Sequence, residues 1–327
     1  MSGFVLKGLR KVYRQIARPT FIMPECEYDR NRANEILLNA LQGEKPCMIS
    51  RFGSVEIGIV SNYLQVHSDR PYLSRCYQYI VDNCGLPMWD KLFFVSMRRN
   101  AGIFPESIET LERFSERYLQ DTPLIDILGS FHYTEKYLPL RKDVKNVHLE
   151  CLYPFWTEKP WTLALKGKKV LVVHPFVETI KSQYARRDKI FENPDILPEY
   201  ELKTLRAVQS NAGAEVPYND WFEALKWMED EVAKIDFDIC ILGCGAYGLP
   251  LAATIKRMGK KAVHMGGGSQ LLFGIKGKRW EDKNYGKEWP HPNMNCNYYT
   301  LFNDFWVRAN SNETPQNAYS VEGACYW

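Results

Sequence analysis

Residues 166–264 carry the pattern that most constrains this chain, short apolar runs alternating with amphipathic helical stretches. A polar run-in, Lys166-Gly167-Lys168-Lys169, leads into four apolar residues at 170–173 that end in His174-Pro175. Such a short valine-rich run is a strand buried on both faces. Residues 220–235 place Trp221, Phe222, Leu225, Met228, Val232 and Ile235 at helical spacing behind Asp220, a residue suited to cap a helix N-terminus. A second buried strand at 237–242, a helix at 247–258 closed by Gly259 and a short strand at 261–264 complete the series. Strands separated by helices predict a Rossmann-like α/β fold with a doubly wound, mainly parallel sheet. Parallel neighbours need a crossover, and the crossover helix covers the sheet.

The rest of the chain extends this frame. Helices are expected at 29–41 and 106–119, a first strand at 47–50 with a helix starting at 57–63, and a strand within 121–131 ending at Gly129-Ser130. Residues 181–189 read either as a helix over the sheet edge or as a solvated face. After Gly274 the periodicity dissolves into a segment rich in Trp, Tyr, Asn and Pro, whose aromatics argue against a disordered linker. We read an N-terminal segment at 1–30, one α/β catalytic domain at 31–274 and a tail at 275–327 that wraps it.

With 45% hydrophobic and 25% charged residues the 327-residue chain is a folded, soluble type. A net charge of +3, from 42 basic and 39 acidic residues, gives no electrostatic footprint for nucleic acid. Nine scattered cysteines, with no C-x-x-C pair, point to neither zinc nor a disulfide framework and suit a reducing compartment. No run is long and apolar enough to span a bilayer. Near the N-terminus, Phe4, Val5, Leu6, Leu9, Val12, Tyr13 and Ile16 interleave with Lys7, Arg10, Lys11, Arg14 and Arg18. This basic amphipathic helix either packs on its own domain or makes a peripheral contact with an anionic membrane. The expected location is cytoplasmic, at the inner face of the membrane in the second case.

Four segments bring chemistry to the predicted strand ends, the edge where open α/β sheets bind ligands. Residues 47–56 pass from the apolar Met48-Ile49 through Ser50-Arg51 and a Phe-Gly turn to Glu56. Arg51 and Glu56 form either a site or a salt bridge. His174 closes the 170–173 strand, where it is either structural or a ligand contact. Gly243-Cys244-Gly245-Ala246-Tyr247-Gly248 satisfies G-x-G-x-x-G between strand and helix. The acidic residue that a dinucleotide site needs about 20 positions later is missing, since the next strand ends in His264. That turn is therefore a phosphate cradle or a tight packing turn. Lastly, Gly266-Gly267-Gly268 precedes Lys276, Lys278 and Arg279, a flexible loop beside cations that suits a diphosphate.

Taken together, these segments resemble the glycosyltransferases of the GT-D fold, whose first strand ends in R-F-G-D-G-E. The counterpart is Arg51-Phe52-Gly53-Ser54-Val55-Glu56, followed by residues 239–245 with their helix and by 262–266. The likeness covers roughly residues 31–274, and the first motif is its specific part. It implies transfer of a sugar from a nucleoside-diphosphate donor to a glycan or lipid-linked acceptor in surface-polysaccharide or glycoprotein glycan assembly. Glu56, through the resemblance, and His174, through its place at a strand end, are the catalytic candidates. Arg51, Gly53, Ser54, Gly243, Gly245, Gly266, Gly267, Gly268, Lys276, Lys278 and Arg279 are the candidates for holding the donor diphosphate. The family aspartate is Ser54 here, and a hydroxyl is a poor ligand for Mg²⁺ or Mn²⁺. Metal dependence is thus in question, with Glu56 the one carboxylate left to serve. Two other classes stay open: a methyltransferase or dehydrogenase using 243–248, and a non-catalytic binder that lost activity with the aspartate.

Overall fold

In chain order the elements are helices α1 (Gly3–Ala17) and α2 (Arg30–Gln42), strand β1 (Cys47–Ser50), and helices α3 (Ser54–Val66), α4 (Tyr72–Val81), α5 (Leu92–Ser96) and α6 (Ile108–Asp121). Strands β2 (Ile127–Ser130), β3 (Lys145–His148) and β4 (Lys169–His174) follow, then α7 (Val177–Tyr184), β5 (Glu201–Arg206) and α8 (Trp221–Lys234). Strand β6 (Ile239–Leu242), α9 (Gly248–Arg257), β7 (Lys261–His264) and the short α10 (Lys278–Glu281) complete the series, with 3₁₀ turns between. This computed structural model describes residues 2–82, 84–286, 294, 296–321 and 323–327.

Among the described residues seven strands form one parallel sheet, in the order β3-β2-β1-β7-β6-β4-β5. The fold is thus the Rossmann-like α/β type that the strand–helix alternation predicts. Alternate residues of each inner strand feed two separate cores. Ile49, Val170, Val172, Ile239, Ile241 and Val263 enter one, and Met48, Leu171, Val173, Cys240, Leu242 and Ala262 enter the other. Helices α3, α6, α8 and α9 cover the second face through Ile57, Leu111, Met228 and Leu251. The first face is covered by α2 and α7, through Leu37 and Ile180, and by Trp280, Tyr298, Trp306, Val321 and Trp327 of the C-terminal segment. Those aromatics are core residues, and pulling them from the domain would expose large apolar surface.

Local rules explain the helix starts. Asp29, Ser107 and Asp220 each accept a hydrogen bond from a backbone N–H of their helix's first turn, at 3.0, 3.1 and 2.7 Å, satisfying donors that would otherwise be orphaned. The helix expected at 57–63 begins earlier, at Ser54. The 181–189 segment holds the last half of α7 and a 3₁₀ turn at Arg187–Lys189. Strands β3 and β5 went unread because they are the sheet's two edges. Glu201–Arg206 is partly exposed throughout and Lys145–His148 is exposed at its start, so neither forms the apolar run that marks an inner strand.

The strand order decides where a site can form. The chain builds leftwards from β1 to β3, crosses to β4 and β5, then returns through β6 and β7 to lie beside β1. Its centre is β1-β7-β6-β4, the four strands whose ends carry the motifs described above.

Candidate active site

The segments leaving those four strands form the walls of one cleft. Arg51, Gly53, Ser54 and Glu56 come from β1, His174 from β4, Gly243 and Gly245 from the exit of β6, and His264, Gly266 and Gly267 from β7. Arg279 and the C-terminal Tyr326 and Trp327 also line it, as do Asn100 and Ala101 and the segment 208–211.

The β1–α3 corner supplies the charged pair. Gly53 is the N-cap of α3, and Glu56 lies in the first turn, 9% exposed. A Cβ added at Gly53 would collide with the Glu56 carboxylate, so glycine here is a space requirement that lets the carboxylate fold over the helix start. The positive end of the helix dipole favours an anion at that place. Ser54 is exposed beside it. The Arg51 guanidinium lies 5.1 Å from the centre of the Phe131 ring, and its Nε is buried with no hydrogen-bond partner among the described residues. Buried donors are normally satisfied, so this one awaits an acceptor. Arg51 Nη1 also lies 3.3 Å from where a Cβ of Gly266 would sit, and Gly266 has φ +66°. Backbone conformation and close approach both demand glycine at that position.

The two histidines are neutral, buried donors or acceptors rather than cations. His174 is 2% exposed, and burial pushes its pKa down to about 3. Its Nδ1 accepts the Phe176 N–H at 3.0 Å, which leaves the proton on Nε2. A ring of such low basicity is a poor general base near neutral pH. His174, one of the catalytic candidates, thus stands in the cleft wall with Nε2 as a hydrogen-bond donor. His264 is likewise held to about 3, by burial first and the Arg51 charge second, with Nδ1 3.0 Å from Ser50 Oγ. Tyr118, fully buried behind the cleft, has its phenol pushed well up by desolvation first and by the Glu56 carboxylate second.

The glycine turns divide into lining and packing positions. A Cβ at Gly243 would strike Ser269 and the His174 ring, and one at Gly248 would strike His264. The G-x-G-x-x-G turn is thus filled by imidazoles. Tyr247 in it is buried, stacked at 4.9 Å on Trp221 and 2.9 Å from Ser210 Oγ. Gly245, with φ +57° and open space beside it, faces the cleft.

In the triple-glycine loop, Gly267 backs onto the Tyr326 ring and Gly268 onto Tyr153. Gly268 is therefore a packing glycine outside the cleft wall. The basic cluster is split as well. Lys276 Nζ lies 5.5 Å from the Phe302 ring centre and Lys278 Nζ 4.1 Å from that of Tyr319, and neither lines the cleft. Only Arg279 reaches it, because its backbone N–H donates to the Cys325 carbonyl at 3.0 Å and its Nη1 to Tyr326 Oη at 3.3 Å.

Sequence reasoning missed His264, Gln270, Tyr326 and Trp327 as lining residues. His264 had a readable signal, since it ends a strand as His174 does. Gln270 fastens the tail: its Nε2 lies 3.2 Å from the Ile275 carbonyl and 3.0 Å from those of Lys276 and Tyr326. Nothing periodic announces that contact.

A divalent metal fits this donor set badly. Among the described residues no three metal-ligating side chains converge, and the cleft offers Glu56 beside a serine where Mg²⁺ or Mn²⁺ would take several oxygen ligands. The chain matches no family model, no curated protein and no solved structure.

Proposed function

We propose that the protein is a glycosyltransferase that takes a nucleoside-diphosphate sugar as donor and a glycan or lipid-linked hydroxyl as acceptor. One observation carries the reading: an unsatisfied Arg51 N–H sits beside the α3 N-terminus and the Gly266 backbone, in the cleft at the carboxyl edge of a parallel sheet. Cation and glycine loop together suit a diphosphate.

In the reaction the acceptor hydroxyl oxygen forms a bond to the anomeric carbon while the bond from that carbon to the diphosphate oxygen breaks. Arg51 and Arg279 neutralise charge that grows on the departing diphosphate, which is the costly feature of the transition state. Glu56 takes the hydroxyl proton. Its place over the α3 N-terminus keeps a carboxylate within the cleft near the leaving group. His174 and His264 present neutral polar edges that orient sugar hydroxyls without competing for the diphosphate.

A dinucleotide-dependent enzyme finds less support, because the acidic residue such a site needs about 20 positions after the 243–248 turn is missing, the next strand ending in His264. The non-catalytic alternative is favoured by Ser54 alone. Thermal shift with a panel of nucleoside-diphosphate sugars tests the donor site, since a ligand bound only by the folded state raises the apparent stability. The expected result is a concentration-dependent rise with one or a few donors, abolished in Arg51→Ala. No stabilisation by any donor overturns the donor-site assignment.

A further inference from the structure

We infer that α1 docks the protein on an anionic lipid bilayer, lying in the interface with its apolar face down. The helix is inverted relative to an ordinary surface helix, whose apolar stripe faces its own core. Phe4 is 87% and Ile16 80% exposed, and Val5, Leu9 and Val12 are exposed with them, while Leu6 alone is buried. On the inner side Leu6 alone packs into a small apolar cluster with Cys76, Tyr79, Cys84 and Leu86, and the flanking contacts are polar. Lys7 Nζ bonds Asp90 at 2.8 Å, and the Arg10 guanidinium sits 4.5 Å from the Tyr79 ring centre with Nη1 3.5 Å from the Cys84 carbonyl. The fold thus spends its polar contacts on holding the helix and turns the apolar arc outward. Next along the chain Ile22 is 86% exposed, and α4, against which α1 packs, exposes Leu73 and Tyr77. An apolar helix face left exposed in this way marks an interaction site.

Charge selects the occupant. Residues 2–24 hold five cations and no carboxylate; Lys7 and Arg10 turn inward to Asp90 and Tyr79, while Lys11, Arg14 and Arg18 are exposed. An anionic headgroup layer complements that field while its acyl boundary takes the apolar arc. A second copy of this chain would bring the same positive field face to face, which works against a symmetric dimer through α1. No helix among the described residues is long and apolar enough to cross a membrane, so the contact is one of lying on the surface. The inference is independent of the reaction proposed for the cleft.

The test is co-sedimentation of the full chain with vesicles of phosphatidylcholine alone and of phosphatidylcholine with phosphatidylglycerol. The expected result is binding to the anionic vesicles only, weakened at high salt, and at least about tenfold weaker in Val12→Asp/Ile16→Asp, given the transfer free energy of two exposed aliphatic side chains. Both positions are exposed, so thermal unfolding of that variant should match the wild type; a variant that fails to fold is replaced by Phe4→Ser/Ile16→Ser, read the same way. Absence of binding to anionic vesicles overturns the proposal. So does sedimentation equilibrium showing a dimer that the variant abolishes, with no vesicle binding, because the face would then be a self-interface. Equal binding to both vesicle types overturns the role given to charge.

Discussion

Acid should destabilise this protein through the two cleft histidines, by an amount that follows from their burial. His174 and His264 are each held to about 3, whereas an unfolded chain titrates its histidines near 6.5. Between those values the unfolded state binds a proton that the folded ring refuses, so stability is intact above about 6.5 and is lost progressively as pH falls towards 3. At pH 5 the gap used so far is about 1.5 units, or about 2 kcal/mol per ring and about 4 kcal/mol for the pair. Asp121, Glu135 and Glu150, all pushed up by burial first, act in the opposite sense over the same range. The informative quantity is therefore the difference between wild type and His174→Gln/His264→Gln. Urea unfolding at pH 7.5 and 5.0 measures it. The wild type should lose about 4 kcal/mol more than the double variant between the two conditions, and each single variant should recover about half. Equal pH dependence in wild type and double variant would show that the rings accept protons in place, refuting the reasoning.

Three further outcomes follow from the cleft. Glu56→Gln should lower sugar transfer by about 10²–10⁴ with unchanged donor affinity, measured by steady-state kinetics beside a donor titration; parallel loss of stability and binding would make Glu56 a structural residue. Donor binding should survive EDTA and gain nothing from added Mn²⁺, because the cleft offers a single carboxylate where the resemblance expects two; calorimetric titration in chelator checks this. Gly267→Ala drives a methyl into the Tyr326 ring and should cost about 1–3 kcal/mol as an overpacked contact. Thermal unfolding should show that loss largely reversed in Gly267→Ala/Tyr326→Ala, since the collision then disappears.

The centre of this fold was legible because its strands are buried on both faces. Residues 47–50, 170–173 and 261–264 read as strands from apolarity alone, and β1, β4 and β7 lie there. Helix capping by Asp220 was equally plain, as the side chain and the following periodicity are both local. Placing Arg51, Glu56, His174, Gly243 and Gly266 at strand ends was enough to bring them into one cleft, because parallel strands put all their carboxyl ends on one edge. The limits have physical causes too. Gly268 sits one residue from two lining glycines, yet the Tyr153 ring, distant in sequence, turns it into a packing residue. Lys276 and Lys278 are cations near the right loop, but aromatic rings from the tail hold them away from the cleft while Arg279 is hydrogen-bonded into it. The role of Tyr326 and Trp327 depends on where a chain end without periodicity comes to rest, and no local rule reports that. His174 showed its position but not its protonation, which burial sets.

The measurement that tests the central claim most directly is turnover: each donor that stabilises the protein is incubated with it and a panel of sugar and lipid-linked acceptors, and both nucleoside-diphosphate release and sugar incorporation are followed. The account predicts that release and incorporation rise together for at least one donor, that Arg51→Ala abolishes both through lost donor binding, and that Glu56→Gln abolishes both while still binding the donor. A donor bound in the cleft with neither release nor incorporation against any acceptor would contradict it and leave a binding protein in place of a transferase.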